Sequence, residues 1–202
     1  MTTCPSPPAL VSVVVPAYKA TWLGKALQSV QAQTYRPLEG VVCDDSTDDR
    51  VQAVVDAFAA TADVPVHYSR NPARLWEVRS TARAVFLASG EYIKFLHDDD
   101  VLHADCIAAM VEAFARVPDA SLVASRRRRV DAAGAAMADT LATAFPQGRD
   151  LVLDGQDLVD HLASRSINFI GEPSAVMCRR AALLPLGERL SWLGSHQVTW
   201  VA

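Results

Sequence analysis

Two groups of acidic residues stand where the chain could bind a metal ion. Asp98, Asp99 and Asp100 form an unbroken run after one apolar segment, and Asp44 and Asp45 follow another. Carboxylates gathered at one place repel each other and lose hydration, so a fold seldom assembles them without a cation or hydrogen-bond donors. Mg²⁺ and Mn²⁺ commonly take one or two protein carboxylates and complete their coordination with water and phosphate oxygens. Together the two groups indicate a divalent metal that holds a nucleoside diphosphate.

Each acidic group also has a simpler explanation. Asp is a good N-cap and is favourable in a first helical turn, so the run at 98–100 could merely cap the helix that follows it. The polar run at 44–48 would form a turn and a cap by itself. The presence of both runs at the ends of predicted strands favours the ligand site.

The elements that would position these acids alternate between strand and helix. Five apolar runs predict strands, at residues 10–15, 38–43, 64–68, 92–96 and 121–125. Between them, apolar residues recur at the i, i+3, i+4, i+7 spacing of an amphipathic helix. This alternation predicts an α/β fold of Rossmann-like sandwich type, with a mostly parallel central sheet flanked by helices.

A parallel sheet would bring the acids together at one edge. Ligands of open parallel sheets bind beyond the carboxyl ends of the strands. Strands one, two and four end in Pro16-Ala17-Tyr18, in Asp44-Asp45 and in the acidic run at 98–100. The sequence contains no G-x-G-x-x-G and no P-loop, which disfavours a dinucleotide site and requires that phosphates be held in another way.

Composition limits the class of protein. The 202 residues, half of them hydrophobic, suffice for one domain. The net charge of −4 gives nucleic-acid binding little support, and the apolar run at 10–15 is too short for a signal peptide or a membrane span. Four cysteines without C-x-x-C spacing suggest a reducing compartment. We therefore expect a cytoplasmic protein.

Three blocks of the sequence resemble the family 2 glycosyltransferases of GT-A fold, and they occur in the order of that family. They are VSVVVPAYKATWLGKALQSVQAQTY, VVCDDSTDD and ASGEYIKFLHDDDVL. A fourth, NFIGEPSAVMCRRAAL at 168–183, is similar to an acceptor-side segment of bacterial members. The resemblance implies inverting, metal-assisted transfer of a sugar from a nucleoside diphosphate donor, with UDP-sugars favoured, to a hydroxyl of a saccharide, lipid or protein. It also implies Mn²⁺ or Mg²⁺ as cofactor and a role in cell-wall or polysaccharide biosynthesis.

The resemblance assigns roles to individual residues. Three residues would line the nucleotide pocket: Pro16, Ala17 and Tyr18. Asp45 would bind the base or the ribose, Asp99 would bind the metal, and Asp98 would face the ribose. Four arginines compete to hold the nucleotide, and we favour the third of them: Arg70, Arg74, Arg79 and Arg83. Residues 1–125 would form the donor-binding half, and residues 126–202 an acceptor-side elaboration of the same domain, truncated at its end.

The sequence departs from the family pattern at three positions. His97 stands where many relatives have the first Asp of a D-x-D motif, and Ala82 where an Asn often stands. His196, four residues before Trp200, stands where a catalytic Asp is expected. A neutral His196 could act as the base, although an exposed terminal histidine is the alternative. Glu172 is an acceptor-side candidate, with a solvated loop residue as its alternative.

Other functions stay open at this stage. The departures from the family pattern are also compatible with a non-catalytic or truncated nucleotide-sugar-binding remnant, and a nucleotidyltransferase would also bind nucleotides on a parallel sheet. The arginines at 126–129 could bind an anionic acceptor such as a lipid phosphate, or touch the inner face of the membrane. In a strand, alternate arginines would point away from each other. Beyond them the sequence predicts a hairpin at 131–134 and a helix near 157–163.

Overall fold

A computed structural model describes residues 7–140, 150–165 and 170–186. Its six strands are β1 (Val11–Ala17), β2 (Leu38–Asp44), β3 (Val66–Arg70), β4 (Tyr92–Phe95), β5 (Leu122–Ala124) and β6 (Val176–Arg179). Its helices are α1 (Ala20–Gln31), α2 (Arg50–Ala59), α3 (Trp76–Leu87), α4 (Cys106–Arg116), α5 (Gly155–Arg165) and α6 (Arg180–Leu183). Two short 3₁₀ turns, Pro173–Ala175 and Leu184–Leu186, flank β6 and α6.

The six strands form one sheet in the order β3-β2-β1-β4-β6-β5. β1 pairs in parallel with β2 and β4, and β2 pairs in parallel with β3. β6 is antiparallel to both of its neighbours, β4 and β5. The predicted α/β class and mostly parallel sheet are confirmed. The sequence did not predict β6, which comes from the second half of the chain and separates β5 from β4.

Helices cover both faces of the sheet because the central strands are mostly apolar on both faces. All seven residues of β1 are buried. Val13 packs on one face with residues of α1, α2 and α4, whereas Val14 packs on the other face with residues of α3. This pattern is typical of parallel strands that lie between two helical layers.

A polar network closes the edge of the sheet where β1 and β2 begin. Glu39 is buried and accepts hydrogen bonds from the Ser12 hydroxyl and from the backbone N–H of Ser89, at 2.8 Å for the latter. Burial raises the pKa of Glu39, but the hydrogen bonds from the two serines outweigh burial and bring the pKa below its ordinary value. A Cβ at Gly90 would lie 2.7 Å from Ser12 N and 2.8 Å from Leu10 O. Only glycine therefore lets the chain enter β4 so close to β1.

The second half of the chain contains the predicted hairpin and helix. Val130 bridges Ala136 in antiparallel fashion around a turn in which Gly134 has φ +86°. The predicted helix near 157–163 lies within α5. None of the helices in the described ranges is long and apolar enough to cross a membrane.

Candidate functional site

The carboxyl ends of β1, β2 and β4 meet at one edge, as the sequence predicts. The backbone N–H of Asp45, directly after β2, donates to Ala17 O at 2.8 Å. Asp98, beyond β4, accepts the backbone N–H groups of Tyr18 and Lys19 at its Oδ2, both at 2.7 Å. Asp45 therefore contacts the last residue of β1, and Asp98 contacts the segment that follows it.

Asp98 caps a helix, but not the helix that follows it in sequence. Lys19 is the N-cap residue of α1, and its N–H is among the groups that a helix start leaves without partners, whereas Tyr18 lies one residue before the cap. A carboxylate at this place also suits the positive end of the helix dipole. α4 begins only at Cys106, with Asp105 as its N-cap residue. Within the described residues no group donates to Asp98 Oδ1.

Asp45 has almost all of its hydrogen-bonding capacity in use. Its Oδ1 accepts from Asn71 Nδ2 at 2.9 Å and from Leu75 N at 2.7 Å, and its Oδ2 accepts from Trp76 N at 2.8 Å. A carboxylate oxygen accepts about two hydrogen bonds. One acceptor position is left, on Oδ2, and it would suit a single N–H or O–H donor of a base or ribose.

The neighbouring Asp44 has a structural role, because it connects two strands of the sheet. It is fully buried, and its Oδ2 accepts the Tyr68 hydroxyl at 2.6 Å and Arg70 Nε at 3.3 Å. Desolvation and the hydrogen bond to Asp44 raise the pKa of Tyr68 to about 12, so the phenol stays a donor. Asp44 thus joins β2 to β3, and Asp45 is the acid of this pair that contacts the loop before α3.

Two exposed aromatic rings flank an arginine beside Asp45. The Arg74 guanidinium lies 3.7 Å from the centre of the Trp76 ring and 4.6 Å from that of Tyr18. Trp76 is 65% exposed and has φ +62°, a strained value for a bulky residue. The bond from its N–H to Asp45 helps hold this conformation. Nothing in the sequence spacing singled out Trp76, because only the folding of the loop over Asp45 brings it to the site.

Arg79, which the sequence analysis favoured, lies exposed on α3. The described side chains around it give it no salt bridge or cation-π contact, whereas Arg74 contacts the predicted pocket residue Tyr18. The structure therefore brings Arg74, rather than Arg79, against a predicted pocket residue.

The acidic run beyond β4 offers one exposed carboxylate. Asp99 is exposed, and the N–H of Asp100 closes a turn on His97 O at 3.3 Å. His97 Nε2 lies 3.5 Å from Glu77 Oε1 on α3. No group of three His, Cys, Asp or Glu side chains that could hold a metal occurs in the described part of the chain. The donor set fits an ion that one or two carboxylates share with a diphosphate, and it does not fit a metal cage made by protein alone.

On the acceptor side, Glu172 pairs with an arginine. Arg127 Nε lies 2.7 Å from Glu172 Oε2, and the Glu172 side chain is 62% exposed. Gly171, with φ +101°, leaves the room that the Arg127 guanidinium occupies. Arg126 pairs with Asp139 at 2.8 Å. The arginine run lies outside the strands, and His196 lies outside the described residues.

Comparison with known proteins identifies the family. The sequence profile described as Glycosyl transferase family 2 matches residues 12–180. The chain belongs to this family. It is 32% identical to Protein CgeD of Bacillus subtilis over 126 residues, which cover 59% of the chain and 30% of CgeD. It is 28% identical over 103 residues to GalNAc(5)-diNAcBac-PP-undecaprenol beta-1,3-glucosyltransferase of Campylobacter jejuni, covering 50% of the chain and 33% of that protein.

Solved structures of two glycosyltransferase-fold proteins share the fold of this chain. TarS of S. aureus in complex with UDP-GlcNAc gives a TM-score of 0.65 at 20% identity, over 87% of this family 2 chain and 46% of the TarS chain. Mannosyltransferase PcManGT of Pyrobaculum calidifontis, in complex with GDP-Man and Mn²⁺, gives a TM-score of 0.63 at 20% identity, over 90% of this chain and 48% of the PcManGT chain. The predicted GT-A fold is confirmed. The matched segments span only about a third of the two sequence relatives named above and about half of these two structures.

Proposed function

We propose that this chain transfers a sugar from a nucleoside diphosphate donor to an acceptor hydroxyl. The observation that carries the proposal is the edge formed by Tyr18, Asp45 and Asp98. There a buried carboxylate keeps one acceptor position beside two exposed aromatic rings and an exposed acid. The ligands named for the two structural relatives, UDP-GlcNAc and GDP-Man, belong to the donor class that such a site would bind. UDP-sugars are the donors that we test first.

The nucleoside would occupy the side nearest β2. Its base would lie against the Tyr18 ring, with Pro16 and Ala17 beneath it, and would donate to the open position of Asp45 Oδ2. Arg74 would attract the diphosphate, because its charge lies at this edge without an ion-pair partner among the described residues. Arg79 is the arginine to compare with it.

The diphosphate would lie near the end of β4. Asp99 would bind Mn²⁺ or Mg²⁺, and Asp98 would face the ribose with Oδ1 while its Oδ2 keeps Tyr18 in place. A bound ion would offset the negative charge that grows on the departing diphosphate. His97 is not needed as a ligand, because one or two carboxylates suffice when phosphate oxygens complete the coordination.

The transfer would be a single displacement with inversion. The acceptor oxygen forms a bond to the anomeric carbon while the bond from that carbon to the diphosphate breaks, and the acceptor proton passes to a base. His196 is the candidate base, and a base of this kind contributes about 10²- to 10⁴-fold. Glu172 would contact the acceptor and would not act as the base, since Arg127 already engages its carboxylate. The acceptor is a saccharide, lipid or protein, and the exposed arginines at 126, 128 and 129 could meet an anionic lipid surface.

Calorimetric titration with UDP and with GDP, each with and without Mn²⁺, tests the donor site. The native chain should bind one of the nucleotides in a metal-dependent manner, and Asp99→Ala should lose the metal dependence. Asp56→Ala, which removes an exposed acid from α2, is the control and should bind like the native chain. Failure of the native chain to bind either nucleotide with Mn²⁺ would refute the proposal. Binding without donor turnover would support the non-catalytic alternative.

A further inference from the structure

A lysine lies fully buried in the centre of the sheet. Lys94 belongs to β4 and its side chain has no exposed surface. Its ammonium donates to three backbone carbonyl oxygens: Phe95 O at 2.9 Å, Val176 O at 3.4 Å, and Ser174 O. A buried charge is costly unless hydrogen bonds satisfy it, and three acceptors match the three hydrogens of an ammonium group. The site is therefore complete, and neither the fold class nor the proposed donor site requires it.

Two of the three carbonyl groups belong to the acceptor-side turn, which we define as residues 170–176. This turn contains Glu172 and the 3₁₀ turn Pro173–Ala175, and its last residue, Val176, is the first residue of β6. Ser174 has a second bond to the donor side, because its Oγ accepts the backbone N–H of His97 at 2.9 Å. Lys94 and His97 therefore hold Ser174 by its carbonyl and by its hydroxyl.

These bonds connect the two halves of the proposed reaction site. His97 directly precedes Asp98 and Asp99, and Asp98 in turn holds the N–H groups of Tyr18 and Lys19. At the other end, Ser174 stands two residues after Glu172, which pairs with Arg127. A path of hydrogen bonds and short chain segments thus runs from the donor pocket to the acceptor side.

We propose that Lys94 is a positioning residue for sugar transfer, which fixes the acceptor-side turn against the donor-binding acids through Ser174. This inference rests on the proposed function. Lys94 itself would touch neither substrate. Its loss would leave the nucleotide pocket intact, since Tyr18 and Asp45 do not contact it, and would displace the groups that receive the attacking oxygen. Displacements of about 1 Å at a reacting centre can cost about 10²-fold in rate.

The surroundings of Lys94 add a pH dependence to this role. Burial lowers the pKa of Lys94 to about 8, and the facing groups Cys106 of α4, Asp100 and Cys178 of β6 oppose that shift. Above this pH the neutral amine keeps two hydrogens for three carbonyl groups. One of the three contacts, two of which are to the turn, is then lost, so turnover by the native chain should decrease as the pH rises above 8.

Donor hydrolysis tests the inference without a known acceptor, because water would attack from the acceptor side. The variants are Lys94→Met, which removes all three bonds, and Ser174→Ala, which removes only the bond to His97 and retains the carbonyl group. Lys25→Met makes the same chemical change at an exposed lysine of α1 and serves as the control. For each chain we would measure the Kd of UDP and GDP with Mn²⁺, and the hydrolysis rate of saturating UDP-GlcNAc or GDP-mannose between pH 7 and 9.5.

We expect both variants to bind nucleotide like the native chain, with hydrolysis reduced about tenfold or more in Lys94→Met and less in Ser174→Ala. The decrease above pH 8 should be present in the native chain and absent from Lys94→Met. A merely structural lysine would lower binding and turnover together and leave the shape of the pH profile unchanged. Native hydrolysis rates in both variants would overturn the inference alone. Absence of nucleotide binding or of hydrolysis in the native chain would overturn the proposed function and this inference with it.

Discussion

The hydrogen bonds of Asp98 to the segment after β1 lead to a quantitative prediction. Asp98→Ala removes an acceptor that receives two N–H groups at 2.7 Å, from Tyr18 and Lys19. Hydrogen bonds to a charged group contribute about 1.5–3 kcal/mol each to stability. Water can reach this part-exposed loop and recover some of that loss, so we expect the free energy of unfolding to fall by about 2–4 kcal/mol.

Asp98→Asn removes the negative charge and keeps a hydrogen-bond acceptor at the same place. The amide oxygen can still receive both N–H groups, but neutral hydrogen bonds have about half the strength of charge-assisted ones. We therefore expect about half the destabilisation of Asp98→Ala. For a chain of this size, 1 kcal/mol corresponds to about 2–4 °C, so Asp98→Ala should lower the Tm by about 5–15 °C.

Urea unfolding followed by circular dichroism measures these differences, and nucleotide titration measures their functional consequence. Asp119→Ala removes an exposed acid far along the chain and controls for the change in net charge. We expect Asp98→Asn to retain more nucleotide affinity than Asp98→Ala, because it still places Tyr18 against the pocket. If Asp98→Ala unfolds within about 0.5 kcal/mol of the native chain, the carboxylate does not hold the loop and the reasoning is refuted.

Three further predictions concern the sheet and the donor site. Gly90→Ala should destabilise the chain by about 1–3 kcal/mol or more, because its Cβ would meet backbone atoms. Gly24→Ala in α1 should stabilise the chain by about 0.5–1 kcal/mol, because alanine favours a helix more than glycine does. Equal unfolding free energies of the two variants would contradict this prediction. Because the pKa of Glu39 is lowered on folding, its stabilising effect should be complete above about pH 4.5 and should be lost as the pH falls below that value. Between pH 7 and pH 4 the free energy of unfolding should decrease less in Glu39→Gln than in the native chain. An equal decrease in both chains would count against the network. Arg74→Ala should weaken nucleotide binding more than Arg79→Ala in calorimetry, and the reverse order would favour the arginine expected from sequence.

The sequence was sufficient for the parallel part of the sheet and for the edge where the acids meet. β1, β2 and β4 are mostly apolar on both faces, and because the carboxyl ends of parallel strands form the ligand-binding edge of such sheets, the residues that follow them are expected to lie together. It did not reveal β6, because the four residues VMCR carry no alternation and acquire their strand conformation by pairing with β4 and β5. Short strands of this kind depend on partners distant in sequence.

The specific hydrogen bonds of the site were also not predictable from sequence. The simpler explanation for the acidic run was that it caps the helix that follows it. Asp98 instead caps α1, and it can reach α1 only because β1 pairs with β4. Asp45 accepts bonds from a loop some thirty positions away, whose course the sequence does not specify. The burial of Lys94 could not be predicted either, because a single lysine among apolar residues is also compatible with a strand that has one solvent-exposed face.

The position of β6 has a consequence for how the chain folds during synthesis. β5 pairs only with β6 among the described strands, and β6 also covers one side of β4. When residues 7–125 have left the ribosome, their parallel strands can associate, but β4 still presents an unpaired edge and β5 has no neighbour. Such edges can recruit strands of other chains until the correct one arrives. The stretch of about fifty residues between β5 and β6 therefore sets a waiting time, during which a nascent chain of this protein would be most exposed to aggregation and most in need of a chaperone.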